Sequence, residues 1–295
     1  MARPNDSSRR DQPDTQWLER MYHNRMRVPD FGDYLARWAA ESALARRSGP
    51  CELNVAYGPA SDEVLDVFPA PASAPRTGAP VVVFIHGGYW KSLDKSQHSF
   101  VAAALRDQGA AVVVPNYTLC PRASIADITV QMVQAVAWAW RHAHRFNGDP
   151  RRLVVVGHSA GAQLAAMMLV CTWPAVDAAL PRDVVKAALG ISGIYELEPL
   201  MHTPSLQEVL RLTPAQVSQA SPARLPAPAR GRFWGVVGGD ESGEFLRQTR
   251  LLQIAWGRER VPLATALPGL HHFSVLDALV QPGTRLHRLA SQLLR

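Results

Sequence analysis

Short, unbroken runs of apolar and largely β-branched residues constrain this chain more than any other feature. VVVFI at 81–85 and LVVV at 153–156 contain no polar residue and no alternation. A strand with one wet face alternates apolar with polar residues, so an unbroken run needs cover on both faces, as helices flanking a parallel sheet provide. The same reading places strands at Glu52–Tyr57, Val64–Phe68, Val81–Ile85, Ala111–Pro115, Leu153–Val156, Ala187–Ile191, Phe233–Val237 and Leu263–Leu267. Helical patterns separate them at Ser96–Gln108, Ser124–His144, Ala160–Cys171, Glu244–Trp256 and Phe273–Leu294. The first two strands have a short connection and are expected to form an antiparallel edge hairpin. The expectation is an α/β fold, a mostly parallel eight-stranded sheet covered by helices on both faces.

Two regions interrupt this rhythm. Residues 1–50 hold an aromatic segment, WLERMYHNRM, and a helical pattern at Asp30–Arg46, and read as an N-terminal arm packing on the core. Residues 51–295 then form one domain with a cap-like insertion at about 199–230, rich in Pro, Ala and Ser, with a helix expected at Ser205–Leu212. Insertions between sheet strands tend to cover active sites. PAPASAPRTGAP at 69–80 reads as a linker between strands.

Composition removes several classes of function. With 295 residues, 47% of them hydrophobic, the chain can bury a large core and is neither a stapled mini-domain nor a disordered segment. The most apolar stretch, Ala160–Trp173, falls short of the ~20 residues that a membrane-spanning helix needs. No apolar segment follows the polar start, so no secretory signal is read. Cys51, Cys120 and Cys171 are odd in number and widely spaced, which argues for free thiols over a disulfide framework or a metal site. The formal charge is +6, but the arginines are scattered among acids rather than gathered in a stripe, which argues against nucleic acid. These readings describe a soluble, cytoplasmic protein acting on a small molecule, without nucleic-acid or membrane partners. A homodimer stays open.

The chemistry begins at Gly157-His158-Ser159-Ala160-Gly161, a G-x-S-x-G between the strand LVVV and the helix AGAQLAAMMLV. Strand, sharp turn and helix together make a nucleophile elbow, in which the glycines admit the turn that projects Ser159 above the sheet. His86-Gly87-Gly88-Tyr89-Trp90 directly follows VVVFI. A Gly-Gly turn there lets backbone N–H groups approach an oxyanion, so the amides of Gly88, Tyr89 and Ala160 are the candidate donors and Gly87 supplies the turn of the oxyanion hole. His86 is read as a brace for this loop rather than as a base. Among ten histidines, the pair His271-His272 follows the last strand and precedes the last helix, where an order of Ser, acid, His puts the base. His272 is preferred, with His271 pointing elsewhere, because two neighbours on one loop cannot both reach Ser159. Asp240 and Glu241 follow the penultimate strand, and either could orient His272. A G-x-x-[DE] turn counted from Gly238 favours Glu241; Asp240 is the alternative acid, or the N-cap of the next helix.

HGGYW, GHSAGAQL, ISGIYELEPL (191–200), ESGEFLRQ (241–248) and the late HHF, in that order, resemble the arylformamidases, or kynurenine formamidases, of the α/β-hydrolase fold. The resemblance runs over approximately residues 80–280. It implies a triad at Ser159, Glu241 and His272, with Glu in place of the more familiar Asp, and an oxyanion element at His86–Trp90. It further implies cofactor-free, metal-free hydrolysis of N-formyl-L-kynurenine to L-kynurenine and formate. Tyr89, Trp90 and Tyr195, with the cap segment 199–230, are candidates for the aryl pocket, each aromatic equally explicable as core packing. Asn116-Tyr117-Thr118-Leu119-Cys120-Pro121 is a looser version of an esterase segment, Tyr-Arg-Leu-Ala-Pro, which keeps a carboxylesterase acting on short or aryl esters in play. An inactive scaffold would require a lost triad member, and none is lost.

Overall fold

A computed structural model describes residues 14–75 and 77–295. Its eight strands are β1 (Glu52–Ala56), β2 (Val64–Phe68), β3 (Ala79–Ile85), β4 (Ala111–Pro115), β5 (Gly148–His158), β6 (Ala187–Ile191), β7 (Arg232–Gly238) and β8 (Leu263–Leu267). They form one sheet in the order β1-β2-β4-β3-β5-β6-β7-β8. β1 and β2 make the expected antiparallel edge, β2 joins β4 antiparallel, and every later pairing is parallel.

The unbroken apolar runs are divided between two layers by the pleat, because successive side chains on a strand face opposite ways. Val81, Val83 and Ile85 enter one core cluster with Leu153 and Val155, while Val82 and Phe84 enter the other with Val154 and Val156. The first layer is covered by helices at Ile125–His142 and Ala160–Val170, the second by those at Ser99–Asp107 and Phe31–Arg47 and by the C-terminal helices.

Several expected elements have other bounds. The helix expected over Phe273–Leu294 is two helices, Ser274–Val280 and Arg285–Leu293. Pro282 cannot donate to a continuing helix, and Gly283 turns the chain at φ +84°, a value most side chains avoid. The aromatic segment in the arm is itself helical, at Thr15–Tyr22 and Asn24–Arg27. The insertion folds into short helices at Glu198–Met201, Pro204–Leu210 and Pro214–Ala220, each with proline in its first turn, where its missing N–H costs nothing. Residues 1–13 of the arm lie outside the described residues. Among the described residues, no helix is long and apolar enough to cross a membrane, and Cys51, Cys120 and Cys171 are free.

Candidate active site

Parallel pairing brings the carboxyl ends of six strands to one edge, where open α/β sheets bind their ligands. In register, Ile85 faces Gly157, His158 faces Ile191, and Gly238 faces Leu267. The residues after these positions therefore converge although up to 186 residues of sequence, from His86 to His272, separate them.

Ser159 sits at φ 56°, ψ −117°, a strained conformation for a residue with a side chain, between β5 and the helix at Ala160–Val170. Its N–H donates to the Ile191 carbonyl (2.8 Å). The flanking glycines are steric requirements: a Cβ on Gly157 would stand 2.0 Å from the Gly161 carbonyl oxygen, and one on Gly161 2.0 Å from that of Ile85. Any side chain there would push the elbow open.

The Ser159 hydroxyl lies 3.1 Å from His272 Nε2, and His272 Nδ1 lies 2.7 Å from Glu241 Oε2. A carboxylate accepts, so Nδ1 carries the proton and Nε2 is left bare to take the hydroxyl proton of Ser159. All three residues are buried. Glu241 is held by the Gly238 N–H (2.8 Å to Oε1) and by a short hydrogen bond from the Ser192 hydroxyl. Asp240 is exposed and makes no hydrogen bond to His272; it is not the N-cap either, since Ser242 takes that place. His271 turns away, its Nδ1 accepting from the Phe273 and Ser274 amides (3.3 Å each) and its ring packing edge-on against Tyr34.

The HGG loop lies against the elbow. A Cβ on Gly87 would meet the His158 carbonyl at 2.8 Å and Ser159 Cβ at 3.0 Å, so only glycine permits that approach. Gly88 (φ +108°) and Tyr89 (φ +52°) line the same cavity as Ser159, and Ala160 opens the helix behind it. His86 is fully buried, bonded through Nδ1 to the Gly87 carbonyl (2.8 Å) and stacked on Tyr117 at 4.3 Å. Burial holds its imidazole below the usual histidine range. Tyr117 in turn donates to the His86 carbonyl (3.1 Å), so the Asn116-Tyr117 segment supports the loop from below.

Two expected pocket residues lie elsewhere. Trp90 is completely buried and donates its indole N–H to Gln163 Oε1 (3.2 Å), whose amide is fixed to the Ala220 carbonyl (2.9 Å). An indole needs an acceptor when buried, and Gln163 draws it into the core. Tyr195 packs edge-on against Phe233 at 5.4 Å, over Gly190 and Gly193, which leave room for its ring. Neither lines the cavity.

That cavity, about 290 Å³, runs from Ser159 and His272 to the arm and the cap. The arm lends Tyr22, Asn24, Arg25, Leu35 and Trp38, and the cap lends Ser205, Leu206 and Val209. Sequence reading missed the arm's contribution. The available signal was the aromatic and charged density of WLERMYHNRM, unusual in a dispensable leader. Tyr22 is pinned by donating to Glu244 (2.6 Å) and by accepting from Gln248 (3.0 Å); Tyr89 donates to the Tyr22 carbonyl (2.5 Å). Arm and cap are joined by Glu19, whose carboxylate accepts from the Ser205 amide (2.7 Å) and hydroxyl (2.8 Å).

His158 was also missed. Its Nε2 lies 2.9 Å from the His272 carbonyl, an acceptor, so Nε2 bears the proton and fixes the backbone of His272. Burial, reinforced by the neighbouring His272, holds its pKa far below the usual range, so this ring stays neutral.

The BD-FAE family profile matches residues 65–205. The kynurenine formamidase of Danio rerio is 31% identical over 245 residues, covering 80% of each chain. That of Salmo salar is 28% identical over 98% of this chain and 97% of its own. A crystal structure of a candidate thioesterase from Silicibacter sp. TM1040 superposes with a TM-score of 0.79 at 33% identity, covering 94% of this chain and 98% of that one. With a sheet, an elbow and relatives of this kind, the chain is a hydrolase and belongs to the kynurenine formamidase family of α/β-hydrolases.

Proposed function

We propose that the protein hydrolyses a small aryl formamide, N-formyl-L-kynurenine, to L-kynurenine and formate in the cytoplasm. The observation that carries this reading is the hydrogen-bonded line Ser159–His272–Glu241 at a cavity of about 290 Å³ in a chain of this family. Ligand clefts commonly span ~300–1,000 Å³, so the cavity suits a single-ring substrate better than a long acyl chain.

In this reading Ser159 attacks the formyl carbon as its proton passes to His272 Nε2. The oxyanion is received by the amides of Gly88, Tyr89 and Ala160, each such donor contributing ~10²- to 10³-fold to the rate. Glu241 holds the imidazolium. His272 then gives its proton to the aryl nitrogen, which leaves as the amine. Water, deprotonated by His272, releases formate from the formyl-serine and restores the hydroxyl.

A second reading, hydrolysis of a short or aryl ester, is supported by a 30% identity over 190 residues to the esterase LipQ of Mycobacterium tuberculosis. Measurement of kcat/KM on N-formyl-kynurenine and on p-nitrophenyl acetate separates the two. Preference for the ester by several orders of magnitude defeats the formamidase reading.

A further inference from the structure

The cavity that opens on Ser159 has an uneven lining. Trp38, Leu206, Val209 and Phe273 give it apolar walls, while Asn24, Arg25 and Lys91 bring in polar donors that the folded chain leaves largely unused. Asn24 is 6% exposed, and among the described residues its Nδ2 has no hydrogen-bond partner. Native proteins rarely strand a buried amide in this way, because the desolvation is uncompensated unless something else accepts the N–H. Lys91 donates to the Ser205 carbonyl (3.1 Å), and the Arg25 guanidinium rests 5.3 Å from the centre of the Phe31 ring. Among the described residues neither cation forms a salt bridge. Two cations and an unpartnered amide donor in one concave site, all donors, match an anion.

We propose that Asn24, Arg25 and Lys91 form a carboxylate subsite, so that the preferred substrate is an aryl amide or ester carrying a carboxylate on the same molecule. This rests on the reading of Ser159, His272 and Glu241 as the reacting groups. Lys91 lies two residues beyond Tyr89 on the loop that offers oxyanion donors, and Tyr89 is bonded to the arm through the Tyr22 carbonyl. A carboxylate held by the arm and by Lys91 therefore sets the substrate against the same loop that receives the oxyanion. A site of this kind disfavours a neutral analogue because the buried Asn24 amide then lacks an acceptor and the half-buried Lys91 and exposed Arg25 lack a counter-charge.

The test uses two matched pairs: N-formyl-kynurenine with its carboxamide, and an aryl acetate on the same amino-acid frame with its carboxamide. The wild type should favour the carboxylate member of each pair by on the order of 10²-fold in kcat/KM, mostly through KM, with KM rising as salt screens the cations. In the double variant R25Q/K91Q this ratio should fall toward one, and K91R should restore most of it. Asn24→Leu, which replaces the stranded amide by an apolar group of similar size, should lower the ratio in the same direction. Equal turnover of acid and carboxamide by the wild type, in both pairs, overturns the subsite, as does a ratio unchanged in the double variant. Failure on both formamides with the ester pair still discriminated would remove the formamidase reading and leave the subsite standing.

Discussion

At the carboxyl edge of the sheet, Ser159, Ser192, Glu241 and His272 stand within a few residues of strands that are paired on one side or both by backbone ladders. The cavity wall is assembled differently. It comes from residues 22–38 of the arm and 205–209 of the cap, which belong to no strand and reach the site through side-chain bonds such as Glu19 to Ser205 and Tyr22 to Glu244. These four residues thus inherit the precision of the sheet, and the wall depends on contacts made by the arm and the cap, which lie far apart in sequence. In a protein built this way the wall can be altered while the sheet edge stays in place.

The largest effect should come from the edge itself. Ser159→Ala should lower kcat by on the order of 10⁴-fold or more and abolish labelling by a fluorophosphonate; a wild type that does not label would contradict the assignment. Glu241→Gln should cost ~10³- to 10⁴-fold in kcat, whereas Asp240→Asn, exposed and out of reach of His272, should stay within about 2-fold. The reverse order would move the acid to Asp240.

The wall should respond in stability before chemistry. Trp38 is fully buried between Phe100 and Phe273, with centroids at 5.8 and 6.0 Å, and its truncation to alanine should lower unfolding free energy by ~3–5 kcal/mol in denaturant titration. If instead the variant keeps its midpoint, the arm is not integral to the core. Ser192→Ala removes one of the donors that fix Glu241 and should lower kcat by about 10-fold, consistent with loss of a positioning hydrogen bond.

The effect spread over the widest range of conditions is a slope with pH. His98 lies among Trp38, Phe84, Phe100 and His86, and burial pushes its pKa down to about 3. An unfolded histidine titrates near ~6.5, so between these values the unfolded chain binds a proton that the folded chain refuses. The stabilisation is complete above about 6.5 and declines as pH falls toward about 3. The melting temperature should drop over this window, and less steeply in His98→Phe; equal slopes would assign the loss to other groups.

The sheet was legible because strand patterning is local. Val64–Phe68, Ala111–Pro115, Ala187–Ile191 and Leu263–Leu267 fold with the bounds their sequence suggests, since each run is largely apolar and ends at or just before a polar residue or proline. β5 begins earlier, at Gly148 rather than Leu153, because Gly148 pairs with Ala79 across a break in register that the segment Asp149-Pro150-Arg151-Arg152 does not advertise. The elbow was equally legible, as strand, glycine, serine and helix are contiguous. The choice between Glu241 and Asp240 was only partly legible: both follow β7, and the G-x-x-[DE] spacing from Gly238 favoured Glu241 without excluding its neighbour. It turns on the Gly238 amide and on Ser192, the latter 49 residues away in the chain. Trp90 and Tyr195 illustrate the opposite error: aromatic residues next to catalytic motifs drew attention by position, but Gln163 and Phe233 hold them in the core.

The sequence by itself determined the doubly covered sheet, the elbow at Ser159, the glycine turn after β3 and the late histidine, because each is encoded by residues adjacent in the chain. Tertiary structure alone decided which carboxylate meets His272, how His158 and Ser192 fix the members of that line, and which residues wall the cavity. Those outcomes depend on where strand ends and insertions arrive in space, and side-chain hydrogen bonds act over about 3 Å, a range that spacing along the chain does not report.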